Sequence, residues 1–351
     1  MVADRDDPSD PARAVRAITR HALRPNLGAR RPEQAAPPAA NTRPRRHLPL
    51  FWLIPPAVLA SVAALLVANR HAPPPAPVAP PHNSLAATLS LPIGPAADEA
   101  ALLAMQATEV RAYPFSPAPS VLVLLYPNLH SQALAMNRIG AFVEKAGVPR
   151  DHVLDDAALD QAVAAGGDQF DSYYFGHDYR AADLARFFAF ADRDGVALRP
   201  QERALRALLA ARGLLAPAAV GAVITLPPLS INPPVDAAAR ATILRHELSH
   251  GLYFTDPTYA AYTSDFWENQ LSADQRALFR AFLGREGYDT GNEDLMRNET
   301  QAYLVHTTDP RYFSPASVEM AAATVRDLRN QFIAGMPAGW LRDRTFPQSA
   351  K

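Results

Sequence analysis

The sequence predicts a helix-rich α+β domain over residues 84–351, set behind a single transmembrane helix at 48–68. Three observations lead there. One uncharged apolar run, Leu48 to Ala68, lies between a polar tail and a proline-rich tether. Two later Val/Leu-rich runs, Ser120–Tyr126 and Val220–Leu226, have the length and composition of buried strands. The rest of the C-terminal part is punctuated by helix-start and helix-stop signals.

The 351 residues carry a formal net charge of −1, so bulk electrostatics point to no nucleic-acid partner. Cysteine is absent, which excludes disulfides, thiolate-bound zinc, a thiol nucleophile and a lipid-modified cysteine. Residues 1–47 are polar, rich in Pro and Ala, and too poor in large apolar groups to offset the entropy of ordering, so they read as a disordered tail. The run L-P-L-F-W-L-I-P-P-A-V-L-A-S-V-A-A-L-L-V-A at 48–68 is long enough to span a bilayer. Arg43, Arg45 and Arg46 precede it and only Arg70 follows closely, so the positive-inside rule puts the N-terminus in the cytoplasm. The expected address is therefore a single-pass inner (cell) membrane protein whose C-terminal domain is periplasmic or extracytoplasmic. Residues 69–83 form a stiff proline-rich linker.

Within the outer domain, Ala97–Ala107 has weak helical spacing, and Ser131–Ala146 has it clearly through Leu134, Met136, Ile139 and Phe142, with a stop at Gly147. Asp168–Tyr179, D-Q-F-D-S-Y-Y-F-G-H-D-Y, reads as a loop whose rings plug the core or as the wall of a cleft. Ala181–Ala191 and Gln201–Ala211 are helices, the second opened by Pro200 and closed at Gly213. After the strand Val220–Leu226, a helix over Ala237–Leu252 starts from a cap at Asn232 or at Asp236. Ser272-Ala-Asp-Gln275 is a capping box opening a helix that Gly284 ends. Asn292 opens another helix, and Ser314-Pro315 a last one running to about Ile333.

The Ala237–Leu252 helix contains H-E-L-S-H, with His246, Glu247 and His250. Residues four apart share a helix face, so both imidazoles can reach one metal ion, and Glu247 is placed to act as general base on a water. A hydrolytic zinc site takes three protein ligands and keeps one position open. Four downstream carboxylates are candidates for the third ligand. Glu299 lies mid-helix with the small Ala302 one turn on. Asp256 stands six residues after His250, the metzincin offset, but Tyr253 occupies the place where that arrangement needs glycine. Glu293 and Asp294 suit the first turn of their helix, where the dipole favours carboxylates.

H-E-L-S-H at His246–His250 together with N-E-T-Q-A at Asn298–Ala302 resembles the gluzincins, zinc metallopeptidases whose third ligand is a glutamate on a later helix. The resemblance covers roughly Val220 to His306. It implies Zn2+ held by His246, His250 and Glu299, with Glu247 activating water. It also implies a zincin-like fold, in which the edge strand of a mixed sheet binds substrate in extended form, with Val220–Leu226 or its neighbour as that strand. The chain departs from the thermolysin branch, because Tyr303 rather than aspartate stands four after Glu299. Tyr303 and His306 are the leading candidates to stabilise an oxyanion, with His177 and Tyr179 behind them. The expected activity is zinc-dependent hydrolysis of peptide bonds in a peptide or protein substrate. The alternatives are a catalytically silent scaffold of the same fold and an amidase acting on cell-wall peptides.

Overall fold

A computed structural model describes residues 91–345. Helix α1 (Glu99–Ala104) starts where Asp98 accepts a bond from the amide of Ala101 at 2.8 Å. Strands β1 (Arg111–Phe115) and β2 (Ala118–Leu125) form an antiparallel hairpin. Asn128 then caps α2 (Leu129–Glu144), and Asp155 caps α3 (Asp156–Ala165). The short β3 (Asp178–Arg180) runs directly into α4 (Ala181–Asp194), which Gly195 ends in the left-handed region at φ 66°. After α5 (Pro200–Ala211), β4 (Ala222–Leu226) completes the sheet.

The sheet order is β1-β2-β4-β3, with β2 and β4 parallel and β3 antiparallel to β4. Alternate residues of the two central strands feed different cores. Leu122, Leu124 and Val223 pack with α2, α4 and α5 on one face. Val121, Val123, Leu125, Ile224 and Leu226 pack with Leu244 and Leu248 on the other. Strands covered on both faces carry unbroken apolar runs, which is why these two stood out in the sequence.

A small hairpin, β5 (Ser230–Ile231) with β6 (Pro234–Val235), leads into α6 (Ala237–Thr255), the helix that carries H-E-L-S-H. Asp236 is its cap, accepting from the Ala239 amide at 2.7 Å, whereas Asn232 lies in the hairpin turn. Helix α6 sits close to β2: a Cβ on Gly251 would stand 2.9 Å from Cγ1 of Val121. Its far side meets a helical layer built from α7 (Pro257–Asp265) and a π-helical turn Phe266–Gln270, then α8 (Ala273–Arg285) and α9 (Glu293–Gln301). A second π-helical turn, Ala302–His306, continues α9, and α10 (Ala322–Gly335) and α11 (Trp340–Thr345) close the layer.

Several expectations need correction. The observed class is helix-rich α+β, but no helix among the described residues is long and apolar enough to cross a membrane, so the transmembrane component of the expected fold class is withdrawn. The run assigned to it, Leu48–Ala68, lies outside the described residues, as do the expected tail and linker. Strand β4 is interior rather than an edge, and its neighbour β3 is the edge strand on that side. Gly284 lies inside α8, which runs to Arg285. The last predicted helix is two elements, a 3-10 turn Pro315–Val318 and α10, separated where Glu319 adopts φ 54°.

Candidate metal centre

Helix α6 presents His246, Glu247 and His250 into the interior, and α9 presents Glu299 towards them. Their relative exposures are 1%, 1%, 0% and 1% respectively. His246 Nε2 lies 3.7 Å from Glu299 Oε2, and His250 Nε2 lies 3.7 Å from Glu299 Oε1. Two ligands at roughly 2.0–2.1 Å from a tetrahedral zinc stand about 3.3–3.4 Å apart, so the three groups are near ligand spacing. Both Glu299 oxygens and His250 Nε2 are buried without a hydrogen-bond partner. Buried polar atoms left unpartnered are costly, and a cation among them removes that cost. These buried groups can hold a metal ion.

Burial lowers the proton affinity of both imidazoles. His250 is pushed down to about 4, while burial and then the neighbouring His250 hold His246 well below the usual range. Both rings are thus neutral near pH 7, the form that ligates metals. One of them also has its tautomer fixed. The Thr307 hydroxyl donates its hydrogen to the Ala302 carbonyl at 3.0 Å, so it accepts from Nδ1–H of His246 at 2.8 Å. That leaves the Nε2 lone pair of His246 facing Glu299. Thr307 is brought there by the π-helical turn, where its amide also bonds the Ala302 carbonyl at 2.9 Å. Irregular helical turns of this kind recur at functional sites.

Hydrogen bonds hold the two ligand helices together. Gln301 on α9 donates to Ser249 Oγ at 3.1 Å, and Ser249 donates to the His246 carbonyl at 2.7 Å. The serine of H-E-L-S-H is therefore structural. Tyr259 donates to Gln301 Oε1 at 2.7 Å and faces His306 Nε2 at 3.2 Å.

The other sequence-derived residues fall into place around this centre. Tyr303 is buried, with its ring 4.8 Å from that of His246. His306 turns to Tyr259 and is outside the ligand set. His177 is a core histidine, with Nδ1 3.1 Å from Thr225 Oγ1 and 3.3 Å from Gln132. Tyr179 is fully buried in the core on the opposite face of the sheet. Asp256 caps α7 through the amides of Thr258 and Tyr259. Glu293 accepts from Trp267 Nε1 at 3.2 Å, and Asp294 accepts from the Tyr253 hydroxyl at 2.6 Å and pairs with Arg180 at 2.5 Å. Of the four candidate carboxylates, only Glu299 joins the two histidines.

Three residues at the centre were not among the candidate ligands or catalytic residues, although Asp178 lies in the stretch read as a possible cleft wall. Asp178, the first residue of β3, has a carboxylate oxygen 3.8 Å from His250 Nε2 and forms a second group of possible ligands with Glu247 and His250. Glu144, the last residue of α2, forms a third such group with Asp178 and Glu299. Tyr288 faces Glu299 and favours its anionic form, against the larger effect of burial. The aromatic stretch before β3 does pack its rings inward, as Tyr173, Tyr174 and Phe175 are buried. Its backbone also covers the site: a Cβ on Gly176 would lie 1.9 Å from Glu247 Oε1.

No protein-family model matches the chain, and no curated protein or solved structure matches it significantly. The zincin likeness therefore rests on the two short motifs alone.

Proposed function

We propose that this protein is a zinc-dependent metallopeptidase of the gluzincin type, with His246, His250 and Glu299 as the zinc ligands and Glu247 as the general base. The observation that carries this reading is the convergence of the two imidazoles on the Glu299 carboxylate, each at 3.7 Å, with Glu247 on the same helix. Two histidines and one glutamate form a ligand set of catalytic zinc, and zinc when bound polarises a substrate carbonyl and makes water more acidic. Glu247 accepts a proton from the attacking water at a carboxylate oxygen and returns it to the leaving amine. Burial favours the protonated form of Glu247, and the nearby Glu144 carboxylate adds to this; a cation beside it would favour the ionised form that can accept a proton. Thr307 keeps His246 in the ligating tautomer. Tyr303, whose ring lies 4.8 Å from that of His246, and Tyr288, which faces Glu299, are the candidates to donate to an oxyanion.

One observation favours a second reading, a metal-binding protein without turnover: the backbone at Gly176 covers Glu247. Metal analysis and peptide cleavage by the full chain separate the two. The expected result is one zinc bound at the histidines, cleavage by the wild type, and no cleavage by Glu247→Ala with its zinc retained. Zinc without cleavage in the wild type favours the silent reading. Cleavage retained in Glu247→Ala overturns the assigned base.

A further inference from the structure

Two more carboxylates enter the same buried space from elements that carry no histidine: Glu144 from the end of α2 and Asp178 from the start of β3. Ligand oxygens of Glu144, Asp178 and Glu299 all lie within 4.8 Å of one another. Oxygens gathered this closely could hold a metal ion between them. Glu299 is buried with both carboxylate oxygens unpartnered. One of them faces His246 and the other His250. A carboxylate has lone pairs enough to serve two ions at once.

Charge points the same way. Glu144, Asp178, Glu247 and Glu299 carry four negative charges when ionised, and the two imidazoles are neutral. One divalent ion offsets two of those four charges, and Arg150, Lys145 and Arg180 act on the group from its rim. Nearby cationic side chains are engaged at the rim. Arg150, which acts on Glu144, donates to the carbonyls of Ala141, Phe142 and Lys145. Lys145 lies 4.7 Å over the Tyr173 ring, and Arg180, which acts on Asp178, pairs with Asp294 and Asp183.

We propose that Glu144, Asp178 and Glu299 hold a second divalent cation, with Glu299 bridging it to the ion on His246 and His250. The inference rests on the metal reading above. An all-oxygen donor set selects a hard cation of the manganese or magnesium class, whereas the two imidazoles suit zinc. Pairs of ions sharing a bridge typically sit about 3.5–4 Å apart and grip both ends of a reacting group. Asp178 would then be a metal ligand on the edge strand.

The test is metal counting on the full chain after equilibration with equimolar Zn2+ and Mn2+, with electron paramagnetic resonance to read bound manganese. The expected wild-type content is about one zinc and about one manganese per chain. Glu144→Gln should lose the manganese and keep the zinc. Asp178→Asn should do the same, and it serves where Glu144→Gln fails to fold. One zinc and no manganese in the wild type overturns the second site and leaves the first intact, as does manganese unchanged in a folded variant. No metal of either kind overturns both. A wild type that holds one ion in all, lost in His250→Ala, overturns only the second.

Discussion

Two buried clusters of charge in this molecule differ in one respect. Around α2, α3 and α5, Arg138 (1% exposed) sits 3.1 Å from Glu202 (0% exposed) and also pairs with Asp156, which Arg199 meets at 2.7 Å. Two guanidinium groups face two carboxylates. Glu202 also accepts from the Arg199 amide at 2.7 Å, at the start of α5. Elsewhere, Glu144, Asp178, Glu247 and Glu299 gather around two imidazoles, with Arg150, Lys145 and Arg180 at the rim. The first cluster is complete as it stands and holds helices together. The second brings together buried groups that could hold a metal ion.

The comparison can be broken at either end. The largest effect is expected at Glu247. Glu247→Gln should lower peptide cleavage by about 10²–10⁴-fold while bound zinc is unchanged, read from initial rates beside metal analysis. Loss of zinc along with rate would mean that Glu247 is a ligand rather than a base. Next, Arg138→Met leaves Glu202 buried without its guanidinium partner and should cost about 3–5 kcal/mol in denaturant unfolding. The same experiment on metal-free protein sharpens the contrast. Asp178→Asn removes one of several like charges, so it should leave stability unchanged or raise it. A loss as large as that of Arg138→Met would erase the distinction between the clusters.

Smaller effects follow from the supports of the site. Thr307→Val removes the acceptor for Nδ1–H of His246 and should weaken zinc binding by about 10–100-fold in a competition titration. Full affinity in that variant would show that the tautomer is fixed by something else. Asp236, the cap of α6, is held down to about 2 by hydrogen bonds from Arg311 and then by the Ala239 amide, against an ordinary value of 3.8. Its stabilisation is therefore present above about 3.8 and lost as pH falls through about 2. Asp236→Ala should cost about 0.5–2 kcal/mol at neutral pH, towards the low end because the carboxylate is largely exposed. The gap between variant and wild type should close over that acid range. A gap that stays constant down to pH 2 would contradict the assignment.

Local signals made part of this legible in the sequence. The capping residues Asp236, Ser272 and Asn292 act where their spacing placed them, because an N-cap depends on the next three residues alone. His246, His250 and Glu299 were readable because two ligands share one helix face and the third sits in a short polar motif on another. Strand β1 escaped notice because Arg-Ala-Tyr-Pro-Phe contains a proline and lacks a Val/Leu run. Helix α3 escaped because its Ala-rich sequence offers only Leu159 and Val163 for burial. Asp178 was legible only as part of a stretch that could wall a cleft, and Glu144 not at all. They reach the centre through the β3–β4 pairing and the end of α2, contacts that leave no trace at short sequence range. Thr307 looked like an ordinary loop residue, since its role depends on the π-helical turn that ends α9.

The most direct test of the metal centre is anomalous diffraction from crystals of zinc-loaded protein, with data collected on both sides of the zinc edge. The expected result is a peak bonded to Nε2 of His246, Nε2 of His250 and the Glu299 carboxylate. A zinc peak elsewhere, with these three side chains still unbridged, would contradict it.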